Sequence, residues 1–275
     1  MEKLTFKVQR YDPDKDKKPY MQVFTIPFRH GMTVLDGLIY IKENVDNTLS
    51  FRSSCRMGIC GSCGMLINKL PMLACHTPIE ELHSDKIEVK SLPNFPIVRD
   101  LVADLSPLFE KHKSIKPYLM APAVAEEIEK PTAEFLQSQE HLIGFVQFAY
   151  CVKCGLCMSA CPTVATDKHF LGPQPLAQAC RYSLDKRDDG AKERFKQADI
   201  PHGVWLCHLA GACSEACPKG VDPALAIQLL KRAMVADGFK LSKKKAAPTV
   251  AASLSEKKPK VAVPEFTIKK PGAKS

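Results

Sequence analysis

The sequence predicts an α+β protein with a strand-rich N-terminal domain and an all-helical C-terminal domain. The chain has 275 residues, which suits about two domains of ordinary size. Apolar residues alternate with polar ones near the N-terminus but recur at helical spacing after residue 100. The twelve cysteines fall into two separate blocks. Residues 91–100, between the blocks, contain two prolines and no apolar period, which indicates a linker.

The first domain, residues 1–100, is predicted to combine strands with one helix. Four stretches are predicted as strands: 4–8, 24–28, 65–74 and 87–89. Thr33 is placed to cap a helix whose apolar residues, from Val34 to Ile41, lie on one face. This combination with a cysteine loop fits a small α+β domain.

The second domain, residues 101–239, is predicted to be all-α. Three stretches have apolar residues at helical spacing: 101–108, 142–149 and 223–234. The remainder, residues 240–275, contains ten lysines and two glutamates, a formal charge of +8 out of +9 for the whole chain. We predict a basic, flexible tail, which would either contact an anionic membrane surface or acidic partner, or act as a solubilising extension. No basic face with interleaved aromatic residues accompanies it, so nucleic acid is not an expected partner.

The cysteines are expected to bind metal rather than to form disulfides. The N-terminus, MEKLTFKVQRYD, lacks the apolar core of a secretory signal peptide. No stretch reaches the roughly 18 apolar residues that span a bilayer. These features favour a reducing compartment, where cysteines serve as metal-bound thiolates.

The first cysteine block has the spacing of a plant-type [2Fe–2S] ferredoxin, which has a β-grasp fold. Four residues separate the first pair of cysteines and two separate the next pair, with a fourth cysteine further on. The predicted ligands are Cys55, Cys60, Cys63 and Cys75. Glycines at 58, 61 and 64 would allow positive φ angles and close backbone approach around a cluster. A structural zinc site is the alternative, although zinc favours separated CxxC pairs.

The second block resembles a bacterial ferredoxin run in which the fourth cysteine serves the other cluster. By this crossing rule, one cluster is [4Fe–4S]. Its predicted ligands are Cys151, Cys154, Cys157 and Cys217. The second cluster would take Cys161, Cys207 and Cys213, because Ala210 stands where a fourth cysteine is expected.

Ala210 has no donor atom, so the stable second cluster is predicted to be [3Fe–4S], with a higher potential. The alternative is a [4Fe–4S] cluster whose open iron binds water or substrate. Cys180 fits neither pattern and is expected to be an ordinary packed cysteine.

Beyond the cysteines, residues 1–239 resemble the iron–sulfur subunit of the succinate dehydrogenase/fumarate reductase family. The stretches that carry the resemblance are RYDP (10–13), SCRMGICGSCG (54–64), LGP (171–173), RDDGAKER (187–194) and GVWLCHLAGACSEACPKGVDPALAIQ (203–228). The last two are closer to the fumarate-reductase branch. The resemblance implies a partner flavoprotein subunit that holds covalent FAD and performs the dicarboxylate chemistry. It further implies electron transfer through the three clusters to a quinone at membrane-anchor subunits, on the cytoplasmic face of the inner (plasma) membrane.

No catalytic residue is expected on this chain, which lacks a GxGxxG motif, a nucleotide loop and a paired-carboxylate motif. The resemblance places Pro162, His208, Gln228 and Lys231 in a candidate quinone pocket. His208 would donate a hydrogen bond or proton to the quinone, and Lys231 would stabilise negative charge. Alternatively, His208 bonds cluster sulfur or backbone, and Lys231 is a solvated helix lysine.

One feature departs from succinate dehydrogenases, which often have a tryptophan shortly after the position of Cys161. The stretch CPTVATDKHFLGP (161–173) has none, and its length agrees with fumarate reductases. Trp205 cannot be assumed to replace it. Two other functions stay open: a relay that delivers electrons to thiols, a soluble acceptor or another dehydrogenase, and a zinc-binding interaction module.

Overall fold

The computed structural model describes residues 3–120 and 137–239. The predicted basic tail, residues 240–275, lies outside the described residues. Among the described residues, no helix has the length and apolar content of a membrane span.

The N-terminal domain is built on a five-stranded sheet. Its strands are β1 (Lys3–Arg10), β2 (Tyr20–Pro27), β3 (Gly64–Ile67), β4 (Leu70–Leu73) and β5 (Lys86–Lys90). The order is β2-β1-β5-β3-β4, and β1 and β5 are the parallel central pair. The predicted alternation is confirmed, since the apolar side chains of β1 point into the core with no exposed surface.

Helix α1 (Val34–Asn44) covers this sheet. The Thr33 hydroxyl accepts a hydrogen bond from the Asp36 amide, and the Asp36 carboxylate accepts one from the Thr33 amide. This capping box satisfies two backbone donors and confirms the predicted helix start. Gly37 faces the Phe6 ring so closely that a Cβ atom there would collide with it. The small residue therefore allows the helix to approach the sheet.

The predicted strand over residues 65–74 is two strands. β3 and β4 form a hairpin whose two turn residues, Asn68 and Lys69, both have positive φ angles of 45° and 71°. Two consecutive positive φ angles match the twist of tight antiparallel hairpins. The sequence prediction missed this turn because lysine is not a usual residue at its second position.

A second hairpin corrects two further predictions. β6 (Ile97–Arg99) and β7 (Val102–Ala103) pair across residue 100, so the segment predicted as a linker contains a strand. Leu101 lies in this hairpin, and the following helix begins only at Ser106. The cause is not local: the Asp100 carboxylate accepts bonds from the Tyr11 and Ser50 amides and from the Arg10 guanidinium.

The helical domain surrounds one buried central helix. Its helices are α2 (Ser106–Ser114), α3 (Gln139–Ala149), α4 (Leu156–Ala160), α5 (Pro162–Thr166), α6 (Pro173–Ser183), α7 (Ala191–Ala198), α8 (Ala212–Glu215) and α9 (Pro223–Gly238). Helix α6 packs against α2, α3, α7 and α9, and its first eight residues are buried. Cys180 lies among them, and burial raises the pKa of its thiol to about 12. This fits the packed role expected for it.

A buried ion pair fixes the start of α7. Arg194 and Asp188 are both completely buried, and their two contacts measure 2.6 and 2.9 Å. The Asp188 carboxylate also accepts bonds from the Met120 and Gly190 amides, while Arg194 Nε donates to the Lys116 carbonyl oxygen. The RDDGAKER stretch therefore has a structural role, in which it joins α7 to the segment after α2.

The two domains are in direct contact. Asn94 has a positive φ of 68°, and its side-chain amide donates to the Met158 and Ser159 carbonyl oxygens at 3.0 and 3.1 Å. These carbonyls belong to α4, so the N-terminal domain caps this short helix. Leu156, at the start of α4, is buried within the core of the N-terminal domain. Helix α4 is thus held by both domains.

Candidate metal centres

The first cysteine group lies on the loop between α1 and β3 and on the 3-10 turn after β4. Backbone amides point at its sulfurs. The Ile59 and Cys60 amides donate to Cys55 Sγ at 3.3 Å, and the Gly58 amide donates to Cys75 Sγ at 3.2 Å. The Cys75 amide donates to Cys63 Sγ at 3.4 Å. Such donors stabilise negative charge on sulfur, as thiolate ligands require.

Glycine allows this loop to fold. Gly58 and Gly61 have positive φ angles of 70° and 75°, as the sequence predicts. Gly64 instead begins β3 without a positive φ, and its backbone lies against the Cys154 carbonyl oxygen, 3.2 Å from an added Cβ. The loop is therefore shaped at two glycines and packed at the third.

The thiols of this group differ in their electrostatic environment. Burial, together with the nearby Cys75 and Cys60, raises the pKa of Cys63 to about 12. Hydrogen bonds, the largest from the Ser62 hydroxyl, lower the pKa of exposed Cys60 to about 6. Because metal ligands are thiolates, binding of iron would release the proton that burial holds on Cys63.

The second group gathers residues that are distant in sequence. A small cavity at the start of α4 is lined by Cys151, Cys154, Cys157 and Cys217. Burial and the neighbouring Cys154, Cys151 and Cys217 raise the pKa of Cys157 well above its usual value. The structure therefore brings together the four residues assigned to [4Fe–4S], Cys217 among them, and their role as ligands stays a prediction.

The third group lines a neighbouring cavity. Cys161, Cys207 and Cys213 meet there, and Ala210 is on the wall. The pKa of Cys213 rises to about 11 through burial and the proximity of Cys161 and Cys207. Ala210 contributes only a methyl group. The three donor atoms fit a cluster of three irons, and this cluster type stays a prediction.

The three groups follow one another through the molecule. A Cβ atom added to Gly61 would lie 2.8 Å from Cys154 Cβ, so the first loop abuts the second group. Helix α4, which contains Cys157, packs against helix α8, which contains Cys213. The second group therefore adjoins both the first and the third.

The residues of the candidate quinone pocket are only partly brought together. Pro162 and His208 line the cavity of the third group. Lys231, on α9, instead donates to the Cys207 carbonyl oxygen at 3.0 Å. Gln228 is half-buried on α9 and does not line this cavity. Lys231 is thus neither a pocket-lining residue nor a fully solvated one.

Trp205 is a neighbour of this site that the sequence left unassigned. Its indole N–H donates to Asp199 Oδ1 at 2.7 Å, and Lys231 Nζ lies 5.8 Å from its ring centroid. A cation at this distance is attracted to the ring face. In the sequence, only its position two residues before Cys207 indicated that Trp205 lies near this site.

A five-stranded sheet with a cysteine loop, followed by helices that gather seven more cysteines, defines an iron–sulfur electron-transfer protein of two ferredoxin-type domains. Sequence profiles agree. A "2Fe-2S iron-sulfur cluster binding domain" matches residues 5–110, and a "4Fe-4S dicluster domain" matches residues 147–221.

Similar proteins narrow this class. The fumarate reductase iron-sulfur subunit of Mycobacterium tuberculosis is 46% identical over 231 residues, 84% of this chain and 92% of the relative. That of Haemophilus influenzae is 42% identical over 233 residues, 82% and 90% of the two chains. A chain of the Mycobacterium smegmatis Sdh1 complex in the apo form superposes with a TM-score of 0.76 at 26% identity, covering 86% of this chain and 96% of that one.

The chain belongs to the family of fumarate reductase and succinate dehydrogenase iron–sulfur subunits. It is an electron-relay subunit of an oxidoreductase complex. The predictions of family, fold class and relay function are confirmed.

The contact between the first two groups gives a testable prediction. We expect Gly61→Ala to destabilise the folded protein by about 2–4 kcal/mol, because a positive φ costs an alanine roughly 1–2 kcal/mol and a core collision adds to this. The collision is with Cys154 Cβ at 2.8 Å and Cys154 Cα at 3.1 Å. Thermal unfolding of the cluster-loaded protein at one scan rate would show a lower Tm.

Gly31→Ala is the matched control, since Gly31 has a similar φ of 79° but no atom within 4 Å of an added Cβ. The Gly31→Ala variant should lower the Tm only by the amount that corresponds to the cost of a positive φ angle in alanine. Equal losses in the two variants would show that the approach of the loop to Cys154 is not tight.

Proposed function

We propose that the chain relays electrons between a FAD-containing flavoprotein subunit and a membrane quinone, through [2Fe–2S], [4Fe–4S] and [3Fe–4S] clusters in this spatial order. The observation that carries the proposal is that the first loop contacts the second group at Gly61 and Cys154, and that helix α4, which contains Cys157, packs against α8, which contains Cys213. Clusters supply one-electron redox chemistry when bound. The chain supplies their ligands and their spacing.

The three groups of cysteine side chains support this assignment. The first group, Cys55, Cys60, Cys63 and Cys75, would hold [2Fe–2S], with amide donors already directed at its sulfurs. The second, Cys151, Cys154, Cys157 and Cys217, would hold [4Fe–4S]. The third, Cys161, Cys207 and Cys213, would hold [3Fe–4S], because Ala210 leaves one position without a donor.

Exposed apolar side chains lie beside the first and the third cysteine groups. They support the proposal that a different partner binds at each of these two groups. Met57 and Ile59, on the loop of the first group, are 66% and 57% exposed. Trp205 and Leu209, beside the third group, are 48% and 47% exposed. Because apolar residues at functional surfaces often mark interfaces, we assign the surface beside the first group to the flavoprotein and that beside the third to the membrane-anchor subunits and quinone. The subunit would then be peripheral, on the cytoplasmic face of the membrane.

At the quinone end, His208 and Lys231 are assigned complementary roles. His208 is exposed on the cavity wall, where it would donate a hydrogen bond or proton to a quinone oxygen. Lys231 would stabilise negative charge through its ammonium group, which the Cys207 carbonyl and the Trp205 ring hold in place. Pro162 lines the same cavity as His208, and Gln228, half-buried on α9 outside the cavity lining, is the fourth residue of the proposed pocket.

We expect Lys231→Ala to slow quinone reduction by the purified complex about 10–100-fold, the range for removal of one well-placed charge donor. His208→Ala should have an effect in the same direction. Electron transfer from succinate to a dye that accepts electrons at the flavoprotein should not change. Spectroscopy of the third cluster would verify that the variants remain loaded.

Lys192→Ala is the control, because Lys192 is an exposed residue on α7. Unchanged quinone kinetics in both the Lys231 and His208 variants would place the pocket elsewhere. Purification of the complex without any membrane-anchor protein would instead favour a soluble acceptor.

A further inference from the structure

Gln174 is a buried polar residue without a conventional set of hydrogen-bond partners. It lies in the first turn of α6, is 1% exposed and lines the cavity of the second cysteine group. Its side-chain nitrogen is 3.8 Å from Cys151 Sγ and 3.2 Å from His112 Nδ1. Its side-chain oxygen is buried and has no partner among the described residues. A buried polar atom without a partner costs about 1–3 kcal/mol, so this arrangement needs an explanation.

The partners determine which way the amide points. An amide NH₂ group has two hydrogens, so it can serve Cys151 Sγ and His112 Nδ1 together. The reverse orientation would direct the amide oxygen at a sulfur that is anionic when it binds iron. His112 accepts the bond in its neutral form, and burial, reinforced by nearby Lys153, lowers its pKa. The side-chain oxygen of Gln174 is therefore unpaired because the NH₂ group is directed at Cys151 Sγ.

We propose that Gln174 is a positioning residue that raises the reduction potential of the [4Fe–4S] site by donating a hydrogen bond to Cys151 Sγ. A donor to a ligating sulfur stabilises the more negative, reduced form of the cluster, and hydrogen bonds to sulfur are among the factors that determine cluster potentials. No covalent bond forms or breaks in this step. The inference rests on the proposed assignment of Cys151 to this cluster.

The test is an EPR-monitored redox titration of the loaded complex with Gln174→Leu. At the wild-type midpoint potential of [4Fe–4S], the ratio of reduced to oxidised cluster should fall about fivefold, the equilibrium equivalent of one ordinary hydrogen bond. The midpoints of the other two clusters should not change. Gln174→Met, of similar length and without a donor, should give the same shift.

Gln178→Leu is the matched control. Gln178 lies one turn further along α6, is also buried, and donates to the Phe148 carbonyl oxygen at 2.8 Å rather than to a sulfur. It should lower the Tm without moving the [4Fe–4S] midpoint. An equal shift in this control, or an unchanged midpoint in the loaded Gln174 variants, would overturn the proposal.

Loss of the [4Fe–4S] signal from both Gln174 variants would also overturn it, because the hydrogen bond would then serve assembly rather than potential. The wild-type titration separates this inference from the proposed function. If the wild-type complex has no [4Fe–4S] signal, the ligand assignment fails. If the signal is present but does not shift in the variants, only the role of Gln174 fails.

Discussion

Asp188→Asn is expected to destabilise the helical domain by about 3–5 kcal/mol, because it leaves the charge of Arg194 buried without a carboxylate partner. Both side chains are completely buried and joined by two contacts of 2.6 and 2.9 Å. Few single substitutions elsewhere should exceed this loss. The Tm of the loaded protein, measured beside wild type at one scan rate, would show it.

Glu193→Gln is a suitable control, since Glu193 lies on the same helix as Arg194 but its ion pair with Lys116 is exposed, at 38% for Glu193 and 37% for Lys116. Exposed pairs contribute about 0–1 kcal/mol, so this change should be nearly silent. The double variant Asp188→Asn, Arg194→Met should recover part of the loss because it removes the isolated charge. A Tm for Asp188→Asn close to that of Glu193→Gln would refute the importance assigned to the buried pair.

Ala210→Cys is expected to convert the three-iron cluster to [4Fe–4S]. Ala210 lies on the wall of the cavity that holds Cys161, Cys207 and Cys213, so a thiolate there would complete four donors. The loaded variant should contain one more iron per chain and lose the near-isotropic EPR signal of oxidised [3Fe–4S]. Its third cluster should have a lower potential, and quinone reduction should be slower.

Ala210→Val separates the effect of size from the effect of ligation, since valine has similar bulk and no donor atom. It should retain the three-iron signal and the wild-type iron content. A persistent three-iron spectrum in Ala210→Cys would mean that the absent thiolate does not determine the cluster type.

Which cysteines lie together could be predicted from the sequence, because the spacing between cluster ligands depends on the geometry of the cluster and not on how the helices pack. The crossing of Cys217 to the group of Cys151 follows from that rule, and the cavity lining agrees with it. Strand β1 was also predicted correctly, because its apolar residues alternate with polar ones from Lys3 to Val8, whereas the single strand predicted over 65–74 is two strands. The grouping of the helical-domain cysteines agrees with the prediction from spacing, and the ligand sets themselves stay predictions.

Features that depend on contacts between distant residues were missed. The spacing of Leu101 and Leu108 resembles that of a helix. Leu101 lies instead in the β6–β7 hairpin, and its amide donates a hydrogen bond to the Ser50 carbonyl oxygen. The approach of Gln174 to Cys151 and of Lys231 to the Cys207 carbonyl likewise requires the packed helices. No local pattern in the sequence predicts either of these two contacts.

In the proposed ligand sets, the two cysteine groups of the helical domain are interlocked. Each group combines cysteines from residues 151–161 with cysteines from residues 207–217. Cys217 closes a loop back to Cys157, and Cys161 closes one forward to Cys207. Closing such loops costs entropy, which metal–thiolate bonds offset during folding. The amount of this subunit in a cell should therefore follow the supply of iron and sulfide, since chains that remain unloaded would be exposed to proteolysis. A pulse-chase measurement that finds equal lifetimes in iron-replete and iron-starved cells would contradict this.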